Sequence, residues 1–386
     1  MHSRTKQLFK GRLLAVFHHR RLQCFLQSSV CLVASQLATP QAYSQPPEAF
    51  SFTPLGSGTE ALGVSADGRT VVGRRLVNST WQPFQWRNGQ LSDLGELPGD
   101  WQIGEAHAAS ADGSVIVGAL YGPAGEAAFR WTLDGGFEEI GPGIATDLSN
   151  DGALIVGIDM GNEVFRWEDG IGRSPVDLLD PTKPPGTSAD GSIVVGQRQD
   201  RATAVEYGST FAPEIIYTNS NAGSYLTEVS GDGSMLVGVI PGPGVRPDVY
   251  SAFAVRSNGS AGVILHAGSP AAVSHDASVI VTNPHPVFYI DDVIIDYYHL
   301  GLYELRERLL DSGLESDLDG WGFLGEGSGV SGDGNHVVGT HPENGGWIVR
   351  FVPIPEPSSA MLLIIGLLTW TTIRASVRRA GDTSTE

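Results

Sequence analysis

The chain has 386 residues, with 50 Gly and 23 Pro against 17% charged residues, a composition of many turns joining short apolar segments rather than of helical bundles. No Gly-X-Y period is present, which excludes collagen. The formal charge is −19, but residues 45–357 alone hold 15 basic and 41 acidic side chains, a net of −26. Such a field repels nucleic acid and anionic lipid, so no nucleic-acid partner is expected.

Residues 1–44 carry Arg4, Lys6, Lys10, Arg12, Arg20 and Arg21 and no acid. The basic stretch is followed by an apolar region with Phe25, Leu26, Val30, Leu32 and Val33, and then by Ala42-Tyr43-Ser44. That is the order of a secretory signal, with small residues at the minus-three and minus-one positions. Residues 1–44 are therefore expected to be a signal peptide passed through the Sec translocon and cleaved after Ser44, with an uncleaved anchor as the alternative. Cys24 and Cys31 both lie in it, so the exported protein is expected to lack disulfides and thiolate metal sites.

Residues 45–352 form a repeat. Seven segments align on Ser65-Ala66-Asp67-Gly68, Ser110-Ala111-Asp112-Gly113, Ser149-Asn150-Asp151-Gly152, Ser188-Ala189-Asp190-Gly191, Ser230-Gly231-Asp232-Gly233, Ser274-His275-Asp276-Ala277 and Ser331-Gly332-Asp333-Gly334. Their serines lie 45, 39, 39, 42, 44 and 57 residues apart, and a period near 40 is that of a four-stranded propeller blade. Each Asp-Gly pair predicts a tight turn, because Gly tolerates positive φ and the Asp side chain bonds backbone two residues on. The turn joins an incoming strand such as Glu105 to Ser110 to an outgoing one such as Ser114 to Gly118. An aromatic strand follows, as in Phe84-Gln85-Trp86, Phe129-Arg130-Trp131 and Phe165-Arg166-Trp167, then a second turn and a strand ending in Leu94-Gly95 or Ile140-Gly141. In the fourth copy the aromatic strand is expected near Phe211 to Tyr217.

The expected fold is therefore an all-β propeller of about seven blades. Its last copy lacks a fourth strand, while Phe50 to Gly56 reads as an orphan one. Pairing the two ends closes the ring and removes two exposed edges. The 57-residue gap contains Gly301 to Leu310, where Leu302, Leu305 and Leu309 share a helical face, so a short helix docked on the array is expected near 301–310, with replacement of a strand as the alternative. The hairpin, the aromatic-x-Trp strand and the Leu-Gly ending together resemble the HAF-type extracellular repeats, a resemblance over about 300 residues that implies a propeller-like fold.

No catalytic, cofactor or metal residues are expected. The Ser and Asp of each copy look like nucleophile and acid, but recurrence in every copy assigns them to the turn. His107, His266, His275, His285, His299, His336 and His341 form no His-x-x-x-His pair. Asp317-Leu318-Asp319-Gly320 with Glu315, and Asp291-Asp292 near Asp296, offer too few alternating oxygens for a calcium loop.

After the linker at 353–357, Ala360 to Ile373 is an apolar run of 14, followed by Arg374, Arg378 and Arg379. The run is short for a bilayer span, and the arginines behind it would remain cytoplasmic, leaving the repeat outside. Pro355-Glu356-Pro357, the apolar run and the arginines resemble the PEP-CTERM sorting signal, which implies an exosortase as partner, the inner membrane as temporary or permanent anchor, and export to the cell surface. The expected function is a non-enzymatic binding or matrix module linked to exopolysaccharide or biofilm, with a surface glycan or protein as ligand. The alternatives are a polysaccharide hydrolase or lyase, which predicts carboxylates, His or Tyr at the central mouth, and a passive surface spacer.

Overall fold

The computed structural model describes residues 49–161, 163–207, 213–241, 250–260, 262–284, 293–297 and 301–352. The expected signal segment 1–44, the expected sorting residues Pro355, Glu356, Pro357, Arg374, Arg378 and Arg379, and Asp291, Asp292, His285, His299 and Phe211 lie outside them. So do the side chains of His266 and Asp296. Among the described residues no helix is long and apolar enough to cross a membrane.

The chain folds as a seven-bladed propeller of four-stranded antiparallel blades. Blade one consists of β2 (Thr59–Val64), β3 (Thr70–Val77), β4 (Thr80–Arg87) and β5 (Gln90–Asp93), β1 (Ala49–Gly56) being left for the last blade. Blade two contains β6 (Ile103–Ala109), β7 (Val115–Gly122), β8 (Gly125–Thr132) and β9 (Gly136–Pro142). Blade three contains β10 (Ile144–Leu148), β11 (Leu154–Ile158), β12 (Val164–Glu168) and β13 (Gly172–Pro175). Consecutive Val115, Ile116 and Val117 are all buried, as a strand sandwiched between neighbouring blades requires.

Blade four, β14 (Gly186–Thr187), β15 (Ile193–Arg198), β16 (Arg201–Tyr207) and β17 (Pro213–Thr218), corrects the strand expected near Phe211 to Tyr217. The described part of that segment, from Pro213 on, is the fourth strand. The third is β16, where Thr203 pairs with Gly196 at the place that Phe129 takes opposite Gly118. Sequence reading missed it because the aromatic marker is absent.

Blades five and six share a strand. After β18 (Tyr225–Val229), β19 (Met235–Pro241) and β20 (Tyr250–Arg256), the long β21 (Val263–Val273) pairs with β20 through Ala267 and with β22 (Val279–Pro284) from Gly268 onward. Blade six ends with β23 (Ile294–Tyr297) and β24 (Gly301–Glu304), and only then comes α1 (Leu305–Asp311). The helix thus follows the fourth strand instead of replacing it. Leu305 and Leu309 are buried in the core, whereas Leu302, on the strand, is exposed.

Blade seven closes the ring. β25 (Glu326–Val330), β26 (His336–His341) and β27 (Gly345–Phe351) are completed by β1 (Ala49–Gly56), with Phe52 opposite Val349 and Thr53 opposite Ile348.

The seven hairpin turns share one construction. In blade two the Ser110 hydroxyl donates to Asp112 Oδ1 at 3.1 Å and accepts from Val115 N at 2.9 Å, while Asp112 Oδ1 also accepts from Ser114 N at 2.9 Å. All seven copies repeat these contacts, and Gly68, Gly113, Gly152, Gly191, Gly233 and Gly334 of the six Asp-Gly copies have positive φ. In copy six Ala277 takes the same conformation at φ 58° without the freedom of Gly. Because Ser110 is buried, Ser110→Ala leaves Val115 N unpaired and is expected to cost about 1–3 kcal/mol in urea unfolding. Replacing the exposed Leu133 by Ala is expected to leave the midpoint unchanged.

The residues between Ser and Asp link the turns into a continuous belt. Asp67 N donates to Ala111 O, Ala111 N to Asn150 O, Asn150 N to Ala189 O, and Ala189 N to Gly231 O. Asp232 N then donates to His275 O, His275 N to Gly332 O, and Gly332 N back to Ala66 O. These seven bonds, between 2.7 and 3.1 Å, circle the propeller axis. His275 is the bulkiest member, and its neighbours in the belt are glycines: a Cβ on Gly231 would lie 2.4 Å from the His275 ring.

Candidate functional site: the central channel

The inner strands enclose a cavity of about 510 Å³. In six of them the pairing register slips three residues before the turn serine, at Leu62, His107, Thr146, Thr227, Ala271 and Ser328. Bulges re-aim side chains. Here three bulged residues reach the main chain of the next blade: His107 Nδ1 to Ala145 O at 2.8 Å, Thr146 Oγ1 to Pro185 O at 2.7 Å, and Ser328 Oγ to Ala61 O at 2.6 Å. Because a carbonyl only accepts, His107 Nδ1 carries the proton.

One residue nearer the turn, the copies read Gly63, Ala108, Asp147, Gly186, Glu228, Ala272 and Gly329. Five are small, and two, in blades three and five, are carboxylates lining the cavity. Asp147 is held from two sides, by Leu148 N at 2.8 Å and by Thr187 N of blade four at 2.7 Å. Burial pushes its carboxyl up to about 6 despite those two donors. Burial, and then the Asp147 charge, push Glu228 well above the usual carboxylate range. Among the described residues lining the channel none is Lys or Arg.

At the end of the channel away from the turns, Arg74 joins blades one and two. It pairs with Glu60 at 2.7 Å and hydrogen-bonds Glu105, and its guanidinium covers the Trp81 ring at 4.6 Å. Glu105 Oε2 lies 3.4 Å from His107 Nε2 and accepts from Tyr121 Oη at 3.5 Å. Burial alone would raise Glu105, but the His107 and Arg74 contacts overcome it and hold the carboxyl below its ordinary value. Burial first, and then the charge of Glu105, push the Tyr121 hydroxyl up.

The structure separates the other sequence-derived candidates. His107 and His275 line the channel, whereas His336 lies under the Gly68 turn at the seam between blades seven and one, and His341 accepts from the amides of Glu343 and Asn344. Burial lowers the pKa of both His275 and His336. Glu315, Asp317 and Asp319 are exposed, and among the described residues no group of three or more His, Cys, Asp or Glu is placed to hold a metal. Trp131 and Trp167 are buried between blades, and Trp131 Nε1 donates to Leu94 O of the preceding blade at 2.7 Å. Asp147 and Glu228 were missed by motif reading. Stacking the seven copies reveals them, as two acids in a column of Gly and Ala.

No protein-family model matches this sequence, and no curated protein does. Solved structures do resemble it. An oligogalacturonate lyase in complex with manganese aligns over 80% of this chain and 97% of its own, at 14% identity and a TM-score of 0.52. The oligogalacturonate lyase of Vibrio parahaemolyticus aligns over 79% and 98%, at 11% identity and a TM-score of 0.52. The propeller domain of Cps50 (Swd1) from Myceliophteria thermophila aligns over 80% and 100%, at 12% identity and a TM-score of 0.51. At these identities the likeness is one of fold, shared by proteins of different activity.

Proposed function

We propose that this chain is an exported, cell-surface propeller that binds its ligand without transforming it, and that the central channel is its binding site. The N-terminal signal directs it to the Sec translocon. The C-terminal segment holds it in the inner membrane until an exosortase-type enzyme recognises Pro355-Glu356-Pro357 and the arginines behind the apolar run. The observation that carries the binding-site assignment is the channel wall itself, with Asp147 and Glu228 facing a cavity into which no cationic side chain projects among the described residues. This wall favours neutral or amine-bearing glycan units and disfavours polyuronates, whose carboxylates would meet two acids in a low-dielectric space. The repeated Ser and Asp support a non-enzymatic role, since their hydrogen-bonding capacity is used in the turns.

One observation favours a second reading, that of a polysaccharide-acting enzyme. Two carboxyls with raised pKa can supply one protonated and one ionised group near neutral pH, the requirement for paired acid and base catalysis. A panel of neutral, amine-bearing and uronate oligosaccharides, scored for binding by calorimetry and for cleavage by chromatography, separates the readings. Binding that weakens at least about tenfold in Glu228→Gln, the loss of a charge-assisted contact, with no cleavage, is the expected result. Cleavage abolished in Asp147→Asn would establish the enzyme. Neither binding nor cleavage would leave the spacer.

A further inference from the structure

The chain leaves the propeller on one definite face. Phe351 N donates to Asn335 O at 2.8 Å, and Asn335 directly follows the Asp333-Gly334 turn. Arg350 pairs with His336, the first residue of β26. Val352, exposed to solvent, therefore departs from the face that carries all seven turns. The channel end at Tyr121 lies on the other side, because β7 begins at Val115 beside a turn and ends at Gly122.

Only five residues, Val352 being followed by Pro353 to Pro357, separate this exit from Ser358 and the apolar run. Fully extended they reach about 17 Å, and three prolines favour an extended, stiff spacer. β27, with seven residues, spans a blade height of about 23 Å. The spacer is too short to climb the blade, so the Tyr121 face cannot be turned toward a bilayer that holds the apolar run.

We propose that the Asp-Gly face is the membrane-facing surface of this protein, within the spacer's reach of the bilayer, and that the channel is entered from the Tyr121 side, away from the membrane. The proposal rests on the reading of the C-terminal run as a membrane anchor. A second observation agrees with it. The three most exposed large apolar side chains among the described residues are Leu133 at 78%, Ile171 at 73% and Phe50 at 62%. All three lie on this face: Leu133 and Ile171 follow strands β8 and β12 at their turn-side ends, and Phe50 stacks with Arg350. Such side chains gain by partitioning into the headgroup boundary. Hydrogen bonds within the turns hold the carboxyls of Asp112, Asp151, Asp190, Asp232, Asp276 and Asp333 below their ordinary range, and these charges oppose insertion, so contact is confined to the rim.

The test uses residues 45–386, the chain expected after signal cleavage and free of cysteine, reconstituted in phosphatidylcholine vesicles containing nitroxide-headgroup lipid. A fluorophore is attached at Asp134→Cys or at Ala124→Cys, two exposed positions at opposite ends of β8. The expected result is loss of most fluorescence at Asp134→Cys and its retention at Ala124→Cys. Equal quenching, or stronger quenching at Ala124→Cys, would overturn the orientation. Flotation separates the two premises: labelled protein that fails to float with the vesicles would overturn the anchor and the orientation with it, whereas floating protein with the reverse quenching overturns the orientation alone.

Discussion

Removal of Ala49–Gly56 is expected to open the propeller and lower its melting temperature by about 10 °C or more, taking about 2–4 °C per kcal/mol for a chain of this size. Phe52 is buried and meets the Trp321 ring edge-on at 4.9 Å, within the cluster that includes Trp347, Val349 and Phe351. Loss of that side chain alone costs about 3–5 kcal/mol. The deletion also strips β27 of its partner and removes the bond from Ala49 N to Ser312 Oγ at 3.0 Å. An unpaired β27 is a template for another chain, so the shortened protein is expected to associate as its concentration rises. Thermal unfolding and light scattering of residues 45–352 with and without the strand measure both effects. An unchanged melting temperature with a monomeric product would show that seven blades hold together without closure.

That strand was legible in the sequence because the last copy stops one strand short and the first residues supply it. The turns were legible for a related reason: each needs a hydroxyl, a carboxylate and a positive-φ residue at fixed spacing, so the requirement is written seven times. What escaped was whatever the repeat does not demand. Thr203 stands where every other blade except the sixth, with Ile294, has Phe or Trp, so β16 went unmarked, and its burial comes instead from Ala202, Ala204 and Val205. β21 fuses two blades because Gly268, at φ 150°, lets one strand pass between sheets without a loop, and no turn signal announces it. The 301–310 stretch has Leu at helical spacing, yet Leu302 lies on β24, a four-residue strand paired with its immediate predecessor β23, and only Leu305 and Leu309 belong to the helix. The compensation of His275 by Gly231 and Gly332 spans 44 and 57 residues and becomes visible only when the copies are placed in a ring.

Asp147 and Glu228 escaped for the same reason, and they carry the second large effect. Glu228→Gln is expected to stabilise the propeller near pH 7 by about 1 kcal/mol or more, the cost of a buried polar group left without a partner, and to leave it unchanged near pH 4. Burial, and for Glu228 also the neighbouring charge, raise both carboxyls in the folded state, Asp147 to about 6. A group with a raised folded pKa contributes its full stability below the unfolded value and loses it as pH rises through the folded one. Stability from this pair is therefore present near pH 4 and is lost as pH climbs, for Asp147 through about 6. His275 and His336 act in the opposite sense. Their pKa values are lowered by burial, so the stability of their neutral forms is present above the ordinary His value near 6.5 and is lost as pH falls. The two trends overlap in the wild-type profile, but only the first changes in Glu228→Gln. Urea unfolding of both proteins from pH 4 to 8 isolates it as a difference that grows with pH. A difference independent of pH would mean that neither burial nor the Asp147 charge raises the Glu228 carboxyl in solution. A bound amine would supply the missing counter-charge and erase the advantage of Gln, so the same titration repeated with an amine-bearing oligosaccharide also reports whether the channel is occupied.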